Sequence, residues 1–281
     1  MKTVIEGREA ESGGHIAHAG APLVVLFAAS PHGAANVSSV VLGQHPRVFP
    51  TGELKEFPYG RQINEGKLCS CKSDSTACSF WRAVQDRYAP FVGLPRDEKV
   101  PHLYRIIAEE SGRDIIADVA HDPDRAEQLS RNPRLNLRLV HVLKDGQAIV
   151  NARLRHRNLG LQYAGWRRLD RTVKATRRWR QHVSRLRDLE AELGPRAMSL
   201  DYKLLCENPA ESLAKLGTFL SLDLTPIAAK IASGEPLSSA PHQLRGSDKL
   251  MGNVMIRYDD RYRRQMSYLE ALAFRLTMAL T

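Results

Sequence analysis

The strongest constraint on the fold is an apolar run followed at once by a tight turn and a helix-like segment. It lies in PLVVLFAASPHGAANVSSVVLGQHP, residues 22–46, where positions 23–29 are continuously apolar. An uninterrupted apolar run of this length, bounded by proline and serine, predicts a buried strand. The turn at 31–33 then leads into apolar positions within 37–42 that favour a helix. A strand, a tight turn and a helix together can present backbone N–H groups to a phosphate.

The turn itself lacks the residues of the best-known phosphate-binding loop. The pattern G-x-x-x-x-G-K-[ST] is missing from this segment. The turn therefore carries neither the lysine that reaches the β- and γ-phosphates nor the hydroxyl that binds magnesium. Two interpretations stay open at this point: a loop that holds an anion in another way, or a plain turn between a strand and a helix.

Strands and helices alternate along the chain. DIIADVA (114–120) and LNLRLVHVLK (135–144) are strand-like, and each is followed by a helical segment. This alternation predicts an α/β protein with a P-loop-like three-layer fold, in which a central parallel sheet is flanked by helices. Ligands of such sheets bind beyond the carboxyl ends of the strands. Those ends are residues 30–32, 120–121 and 144–145.

The charge balance narrows the class of partner. The 281 residues carry a formal net charge of +10 and the pI is near 9.6. Such a charge favours a nucleic acid, an anionic membrane surface or a nucleotide-type cofactor. No run approaches the roughly 18 consecutive apolar residues that span a bilayer, so no membrane span is expected. Residues 1–20 are interrupted by acidic residues and glycines, so we expect a flexible lead and a cytoplasmic location.

Several short motifs occur in an order that is typical of one family. Residues 31–36, PHGAAN, stand where P-R-S-G-[ST]-[ST] is expected, and 42–46 match L-G-x-H-P. Gly52-Glu53 match the G-E that follows, and all three motifs share one register without a gap. Four later segments are similar to further motifs of the family: LCSCKSDSTACSFW, ADVAHDPDRAEQL, LRLVHVLKDGQAIVNARLR and LDYKLLCENPAESLAKLGTFLSL.

With these motifs the chain resembles the sulfotransferases that use 3′-phosphoadenosine-5′-phosphosulfate (PAPS), particularly the bacterial carbohydrate- and tyrosine-directed members. The resemblance covers about residues 22–281 and implies one sulfotransferase-like domain over 21–281. It places the donor's 5′-phosphosulfate in the loop after the first strand, on backbone N–H groups at a helix N-terminus. The residues of that loop are Pro31, His32, Gly33, Ala34, Ala35 and Asn36.

The loop differs from the family pattern at its charged position and at its two hydroxyl positions. His32 stands where the family has Arg or Lys, and an imidazole is charged only when it is protonated. Ala35 and Asn36 stand at the family's pair of hydroxyl residues. Asn36 can still donate a hydrogen bond, so the loop is expected to keep part of its anion-binding capacity.

The resemblance assigns the donor's 3′-phosphate to the segment after the strand at 135–144. Lys144 stands at the position of an arginine and keeps its charge without the bidentate fork. Ala152 replaces a serine, and Asn151 or Arg153 is a candidate to compensate for the lost hydroxyl. The C-terminal stretch HQLRGSDKLMGN resembles H-x-x-x-G-N-x-x-R. Lys249 is therefore a further candidate phosphate ligand, with a plain surface cation as the alternative.

The resemblance also implies catalytic residues. Glu53 matches the carboxylate that carbohydrate- and tyrosine-directed members use as general base, with a solvated loop glutamate as the alternative. Sulfuryl transfer needs in-line geometry, a base for the acceptor's proton and cations at the leaving group, where His32 is the candidate. We expect an enzyme that transfers a sulfuryl group from PAPS to a hydroxyl of a carbohydrate, lipid or small-molecule acceptor, without a metal.

Two other functions are compatible with the sequence. Four family positions that carry a cation or a hydroxyl are substituted: Arg by His, Ser/Thr by Ala, Arg by Lys and, at His121, Lys by His. These substitutions also fit a catalytically impaired descendant that binds anions. A basic helix predicted over 163–192 would suit a nucleic-acid-binding protein, but no aromatic ladder or reader module accompanies it. The plainer interpretation is a structural helix whose apolar stripe includes Trp166, Leu186 and Leu189. No nucleic-acid partner is therefore expected.

Three of the four cysteines cluster in LCSCKSDSTACSFW. Cys69, Cys71 and Cys78 form C-x-C-x(6)-C, which offers three thiolates where a closed zinc site needs four ligands. Cys206 or a histidine could complete such a site, and a disulfide between Cys78 and one of the other two is sterically possible. Buried free thiols are the favoured interpretation, because a reducing cytoplasm disfavours disulfides.

Overall fold

Within the described residues, five parallel strands form the sheet at the centre of the fold. In a computed structural model of the chain, the structure describes residues 20–54, 69–74, 76–155, 166–244 and 252–280. The strands are β1 (Leu23–Ala28), β2 (Val48–Gly52), β3 (Ile115–Ala120), β4 (Leu137–Leu143) and β5 (Ala197–Asp201). They lie side by side in the order β2-β3-β1-β4-β5. The predicted strands at 22–29, 114–120 and 135–144 are confirmed, whereas the lead at 1–19 and Lys249 lie outside the described residues.

The central strand β1 explains why the apolar run at 23–29 is continuous. It pairs with β3 on one side and β4 on the other, so that Leu26 lies opposite both Asp118 and Leu139. Successive residues of a strand point to opposite faces. Val24, Leu26 and Ala28 accordingly belong to one hydrophobic core, and Val25, Phe27 and Ala29 to the other. Both faces of the sheet are buried, as parallel sheets require.

Helices cover the two faces and complete a three-layer α/β/α architecture, which confirms the predicted fold class. The described helices are α1 (Ala35–Leu42), α2 (Ser79–Tyr88), α3 (Arg96–Ser111), α4 (Pro123–Ser130), α5 (Gly146–Arg155), α6 (Trp166–Leu193), α7 (Tyr202–Glu207), α8 (Pro209–Leu220), α9 (Thr225–Ala232), α10 (Tyr262–Gln265) and α11 (Tyr268–Ala279). One core contains residues of α2, α3, α4 and α6, and the other contains residues of α1, α7, α8 and α9. Helices α10 and α11 pack on α5 and α6 respectively.

Strand β2 contains a proline and a glycine, which are both uncommon in strands. Residues 50–52 nevertheless belong to it; residues 55–68, which follow shortly after, lie outside the described residues. Strand β2 is at the edge of the sheet, where a proline at position 50 is tolerated because its missing N–H faces away from the partner strand. The Thr51 hydroxyl donates to the Ala117 carbonyl at 3.2 Å and fixes the strand on β3. This pairing carries the chain to Glu53 at the carboxyl edge of the sheet.

The predicted basic helix is confirmed as α6, and its apolar stripe is buried at Leu186 and Leu189 but not at Trp166. Trp166 is 72% exposed, whereas Thr172 and Thr176 are buried together with Leu186 and Leu189. The two threonine hydroxyls donate to the carbonyls four residues earlier, at 3.0 and 2.8 Å, so they can be buried without an orphaned polar group. None of the helices in the described part of the chain is long and apolar enough to cross a membrane.

Candidate functional site

The loop between β1 and α1 has a tightly turned backbone with a glycine between two left-handed residues. His32 and Ala34 lie in the left-handed region, with φ of 69° and 72°, on either side of Gly33. The Gly33 N–H donates to the Ser30 carbonyl at 2.8 Å. A Cβ at Gly33 would lie 2.7 Å from the Ser30 oxygen and 2.8 Å from the Ala29 Cβ, so glycine is required. Left-handed residues alternating with other conformations tend to form concave nests of N–H groups, which bind anions.

Helix α1 begins at this loop without a capping side chain. Its N-cap residue is Ala34, which offers no oxygen to the first-turn N–H groups. The first intrahelical bond runs from the Ser38 N–H to the Ala34 carbonyl at 3.0 Å. The earlier N–H groups of a helix have no partner within the helix and attract negative charge. The loop and the start of α1 together therefore present the type of surface that holds a phosphate or sulfate.

Three side chains meet beside this loop although they are far apart in the chain. The Asn36 amide donates to the Glu53 carboxylate at 2.9 Å and lies 3.1 Å from Nε2 of His121. The same His121 nitrogen is 3.1 Å from the Glu53 carboxylate. Asn36 is in the first turn of α1, Glu53 follows β2, and His121 follows β3. The sheet order thus brings three separate segments to one point at its carboxyl edge.

The histidine of this cluster is fixed by the backbone. Its Nδ1 lies 3.2 Å from the Ala29 carbonyl oxygen, which can only accept, so Nδ1 carries a hydrogen. In the neutral ring Nε2 is then a lone pair that accepts from Asn36, and in the imidazolium it is an N–H that donates to Glu53. Only the imidazolium adds a hydrogen bond to the carboxylate, whereas the Asn36 amide donates to Glu53 in either state of the ring. The Asn36 side-chain oxygen is buried and has no hydrogen-bond partner among the described residues.

A buried ion pair supports the segment that follows Glu53. Asp118 in β3 is fully buried and accepts from Arg125 at 2.6 Å and from the Tyr104 hydroxyl at 2.6 Å. Its other oxygen accepts the Leu54 backbone N–H at 3.3 Å. Burial disfavours the charged form of Arg125, but the Asp118 carboxylate outweighs this effect and raises the pKa of Arg125. In the sequence, Asp118 and Arg125 stood out only as part of the motif ADVAHDPDRAEQL; in the structure they form a buried ion pair.

Lys144 connects the end of β4 with the same loop. Its ammonium donates to the His32 carbonyl at 3.4 Å and lies 5.4 Å from the centre of the Tyr202 ring. Burial lowers the pKa of Lys144, while nearby Asp259, Cys206 and Asp145 act in the opposite direction. A bound phosphate would favour the charged ammonium in the same way as these groups. The predicted loop and Lys144 thus lie on the same side of the sheet.

A cavity of about 590 Å³ opens beside Ser30 and Lys144, at the carboxyl ends of β4 and β5. Its walls carry more basic than acidic groups. The basic residues are Lys144, Arg180, Arg187, Lys203 and Arg263, and the acidic ones are Asp145, Asp188 and Asp201. Pockets of roughly 300–1,000 Å³ hold small ligands and cofactors. The size and charge of this cavity suit an anionic molecule as large as a nucleotide.

The contribution of α6 to this cavity was not predicted from the sequence. Arg180 and Arg187 are seven residues apart, which is about two helical turns, and both line the cavity. Other basic residues of α6 instead form ion pairs on the protein surface: Arg185 contacts Asp124 at 2.6 Å and Lys174 contacts Asp170 at 2.8 Å. The seven-residue spacing places the two arginines on one face of the helix. The sequence nevertheless does not distinguish them from the other basic residues of α6.

A second cavity, of about 570 Å³, lies at the opposite edge of the sheet. It is lined by residues that precede β1 and β4, among them Pro22 and Asn136, and by the α3 residues His102 and Arg105. It therefore opens at the amino ends of the strands. None of the candidate residues of the loop, of Lys144 or of the Glu53 cluster lines it. The carboxyl edge, with its cradle and its clustered side chains, is the candidate functional site.

The position of Asn151 differs from that of the other candidates. Its amide donates to the Gln265 side chain at 2.9 Å, and its oxygen accepts from Arg155 at 3.0 Å. It is buried in α5 and does not line the cavity. The bond to Gln265 connects α5 with α10, so Asn151 holds the two helices together.

Comparisons with known proteins find a likeness in structure but not in sequence. No family profile matches the chain, and no curated protein matches it significantly. The sulfotransferase domain from the curacin biosynthetic pathway superimposes with a TM-score of 0.55 at 14% identity, covering 92% of this chain and 97% of that one. Mouse sulfotransferase SULT7A1 complexed with PAP gives a TM-score of 0.50 at 10% identity, covering 92% and 83%. The chain thus has the fold of the sulfotransferases.

Proposed function

We propose that this protein is a sulfotransferase that uses PAPS as donor and a hydroxyl compound as acceptor. The observation that carries the proposal is the position of the Glu53 carboxylate, bonded to Asn36 at the start of α1 and next to the N–H groups of the loop. A base and an anion cradle are thereby in contact at one edge of the sheet. The fold of the chain is compatible with this chemistry but does not by itself determine it.

The donor would be held by three features of the site. The first-turn N–H groups of α1 and the nest around Gly33 suit the 5′-phosphosulfate. Lys144 reaches the His32 carbonyl and the cavity at the same time, so its ammonium can contact a phosphate beside the loop. Arg180 and Arg187 add positive charge on the α6 side of the cavity. When bound, the donor supplies an activated sulfuryl group, and adenosine 3′,5′-bisphosphate (PAP) is the leaving group.

Glu53 is proposed as the general base. It removes the proton of the acceptor hydroxyl as the acceptor oxygen bonds to sulfur and the bond from sulfur to the 5′-phosphate oxygen breaks. The proton stays on the Glu53 carboxylate until solvent takes it, so charge and atoms balance. A positioned base of this kind contributes typically about 10²–10⁴-fold to a rate. Asn36 and His121 hold the carboxylate in place from two sides.

His32 is proposed to assist at the leaving group. It is exposed on the loop, and its protonated ring would add positive charge near the departing phosphate. The acceptor is proposed to be a carbohydrate, a lipid or another small molecule. Loops at the carboxyl edge of the sheet determine which acceptor is bound.

The proposal is tested by measuring PAP release from PAPS over a panel of carbohydrate, phenol and lipid alcohols. We expect acceptor-dependent release of PAP together with a sulfated product in the wild type. Release should be lost in Glu53→Gln and kept in Glu211→Gln, whose carboxylate contacts Asn208 and Lys215. PAP binding without turnover on any acceptor would contradict the proposal and favour a catalytically impaired anion-binding protein.

A further inference from the structure

Three cysteines and one histidine come together away from the sheet edge described above. The Sγ atoms of Cys69, Cys71 and Cys78 and one ring nitrogen of His242 all lie within 4.8 Å of one another. Nδ1 of His242 is 3.2 Å from Sγ of Cys78 and 3.9 Å from Sγ of Cys69. With bonds of about 2.3 Å to sulfur and about 2.0 Å to nitrogen, a tetrahedral zinc site has ligand atoms roughly 3.5–3.8 Å apart. The observed separations bracket these values.

The histidine is held in place by groups other than the cysteines. Its carbonyl accepts the Trp81 indole N–H at 2.6 Å, and its ring stacks on Phe80 at 5.2 Å between centroids. Its backbone lies in the left-handed region, with φ of 64°, which is unfavourable for a residue with a Cβ. Such strain persists only where the surroundings impose it, and it occurs often at functional sites.

The two segments that carry the four residues are joined by backbone hydrogen bonds. The Ser70 N–H donates to the Gln243 carbonyl at 2.9 Å, and the Gln243 N–H donates to the Ser70 hydroxyl at 3.0 Å. The Cys69 N–H donates to the Ser73 carbonyl at 2.9 Å. Positions 69–73 and 242–243 are therefore already in register. This arrangement reduces the reorganisation that metal binding would require.

We propose that Cys69, Cys71, Cys78 and His242 bind one zinc ion in a closed tetrahedral site. Thiolate and imidazole are the ligands of structural zinc, and four protein ligands leave no open position for catalysis. Cys69 and Cys78 are buried, and Cys71 is exposed and gives the ion access. Zinc binding displaces the protons of the three thiols into solvent. From the sequence alone no metal was expected, because the fourth ligand could not be identified. The proposed zinc site departs from that expectation.

Cys206 does not belong to this site. It lies on the opposite face of the sheet, where it packs against the other hydrophobic core, and its neighbours include Tyr202 and Lys144. The completing ligand is instead His242, which is 164 positions from Cys78 in the chain. Of the two completions that the sequence left open, the histidine is the one that the geometry favours.

The zinc ion would stabilise the strand that leads to Glu53. The Leu244 N–H, two residues after His242, donates to the Thr51 carbonyl of β2 at 2.9 Å. Gly52 has φ of 73°, and a Cβ there would lie 2.0 Å from the Leu244 carbonyl oxygen. The segment that carries His242 thus packs directly on the end of β2. The site is independent of the proposed reaction, because it needs neither PAPS nor an acceptor.

The proposal is tested by purifying the protein without chelators and measuring its metal content by inductively coupled plasma mass spectrometry. We expect one zinc ion per chain and little iron. Cys71→Ser and His242→Ala, at positions that are not fully buried, should each lower zinc retention by at least about tenfold after dialysis, because a lost ligand opens the site. The matched control Cys206→Ser should retain zinc as the wild type does.

Two further measurements keep the test decisive if a variant folds poorly. Co²⁺ added to the demetallated wild type should produce the visible bands of a tetrahedral site and sulfur-to-metal charge transfer. Removal of zinc should lower the melting temperature, as expected where metal binding is coupled to folding. The proposal is overturned by wild-type protein without bound or bindable zinc, by zinc loss in Cys206→Ser equal to that in His242→Ala, or by a disulfide among Cys69, Cys71 and Cys78 in protein purified under reducing conditions.

Discussion

The Asn36 side-chain amide donates a 2.9 Å hydrogen bond to the Glu53 carboxylate and so connects the first turn of α1 with the end of β2. The two residues are 17 positions apart. Because Asn36 is also part of the loop that follows β1, the bond fixes the distance between the carboxylate and the anion cradle. A general base and a donor site need such a fixed relationship, since displacement of a catalytic group by about 1 Å can cost 10²-fold in rate.

The first prediction concerns this carboxylate. Glu53→Gln keeps the shape of the side chain and its contact with Asn36 but removes the basic oxygen. We expect kcat for sulfuryl transfer to fall by about 10²–10⁴-fold, while the dissociation constant of PAP stays within about twofold of wild type. Steady-state kinetics and calorimetry measure the two quantities separately. A variant with wild-type kcat would remove Glu53 from the role of base.

The second prediction concerns the donor's phosphate. Lys144→Ala should weaken PAP binding by about 1–3 kcal/mol, the scale of a hydrogen bond to a charged group. Lys215→Ala is the matched control, because its ammonium is exposed and pairs with Glu211 on α8. The same titration is run on both variants. If the two lose affinity equally, only net charge matters and Lys144 is not a ligand.

The third prediction concerns the buried ion pair behind Glu53. Arg125→Ala leaves Asp118 buried without its counter-charge and should lower the free energy of unfolding by about 3–5 kcal/mol. Arg87→Ala, which breaks exposed pairs with Glu109 and Glu110, should leave the free energy of unfolding nearly unchanged, because solvent screens these pairs. Urea denaturation measures both. Tyr104→Phe, a smaller change that removes one bond to Asp118, serves if Arg125→Ala does not fold. Equal stabilities of the buried and exposed variants would contradict the account.

The fourth prediction concerns pH. Burial lowers the pKa of His182 to about 4, with further lowering by Arg153 and His121, while an unfolded chain has a histidine pKa of about 6.5. Between these values the unfolded state binds more protons, so the free energy of unfolding decreases as pH falls from about 6.5 toward 4. The contribution of His182 is at most about 1.4 kcal/mol per pH unit, and less because the ring is partly solvated.

His182→Gln should remove this part of the pH dependence. Its free energy of unfolding should fall less steeply than that of wild type between pH 6.5 and 5, with no difference in slope above pH 7.5, where the histidine is neutral in both states. Denaturation at a series of pH values provides the comparison. Parallel curves for the two proteins over the whole range would show that His182 titrates normally.

The fold was largely predictable from the sequence because its signals are local. The continuous apolar run at 23–29 indicated a strand buried on both faces, and such a strand is what the centre of a parallel sheet requires. The basic segment at 163–192 showed helical periodicity and forms α6. Trp166 misled the assignment of the buried face, because a large apolar residue at the first position of a helix can stay exposed.

The arrangement of the site was less predictable because its contacts are distant in sequence. Asn36 and His121 are 85 positions apart, and Cys78 and His242 are 164 positions apart. A pattern within one segment carries no information about which other segment it meets. The resemblance to a family indicated Glu53, Lys144 and the loop, whereas the pairing of His242 with the cysteines and the position of Arg187 follow only from the packing of helices and loops around the sheet.

The central claim is that the carboxyl edge of the sheet binds a 3′,5′-bisphosphorylated nucleotide, and calorimetric titration of PAP into the wild-type protein tests it most directly. We predict saturable binding in the micromolar range. Adenosine 5′-monophosphate, which lacks the 3′-phosphate, should bind at least about tenfold more weakly, because one charge-assisted contact is lost. The claim is contradicted if PAP does not bind up to millimolar concentration, or if the two nucleotides bind equally well.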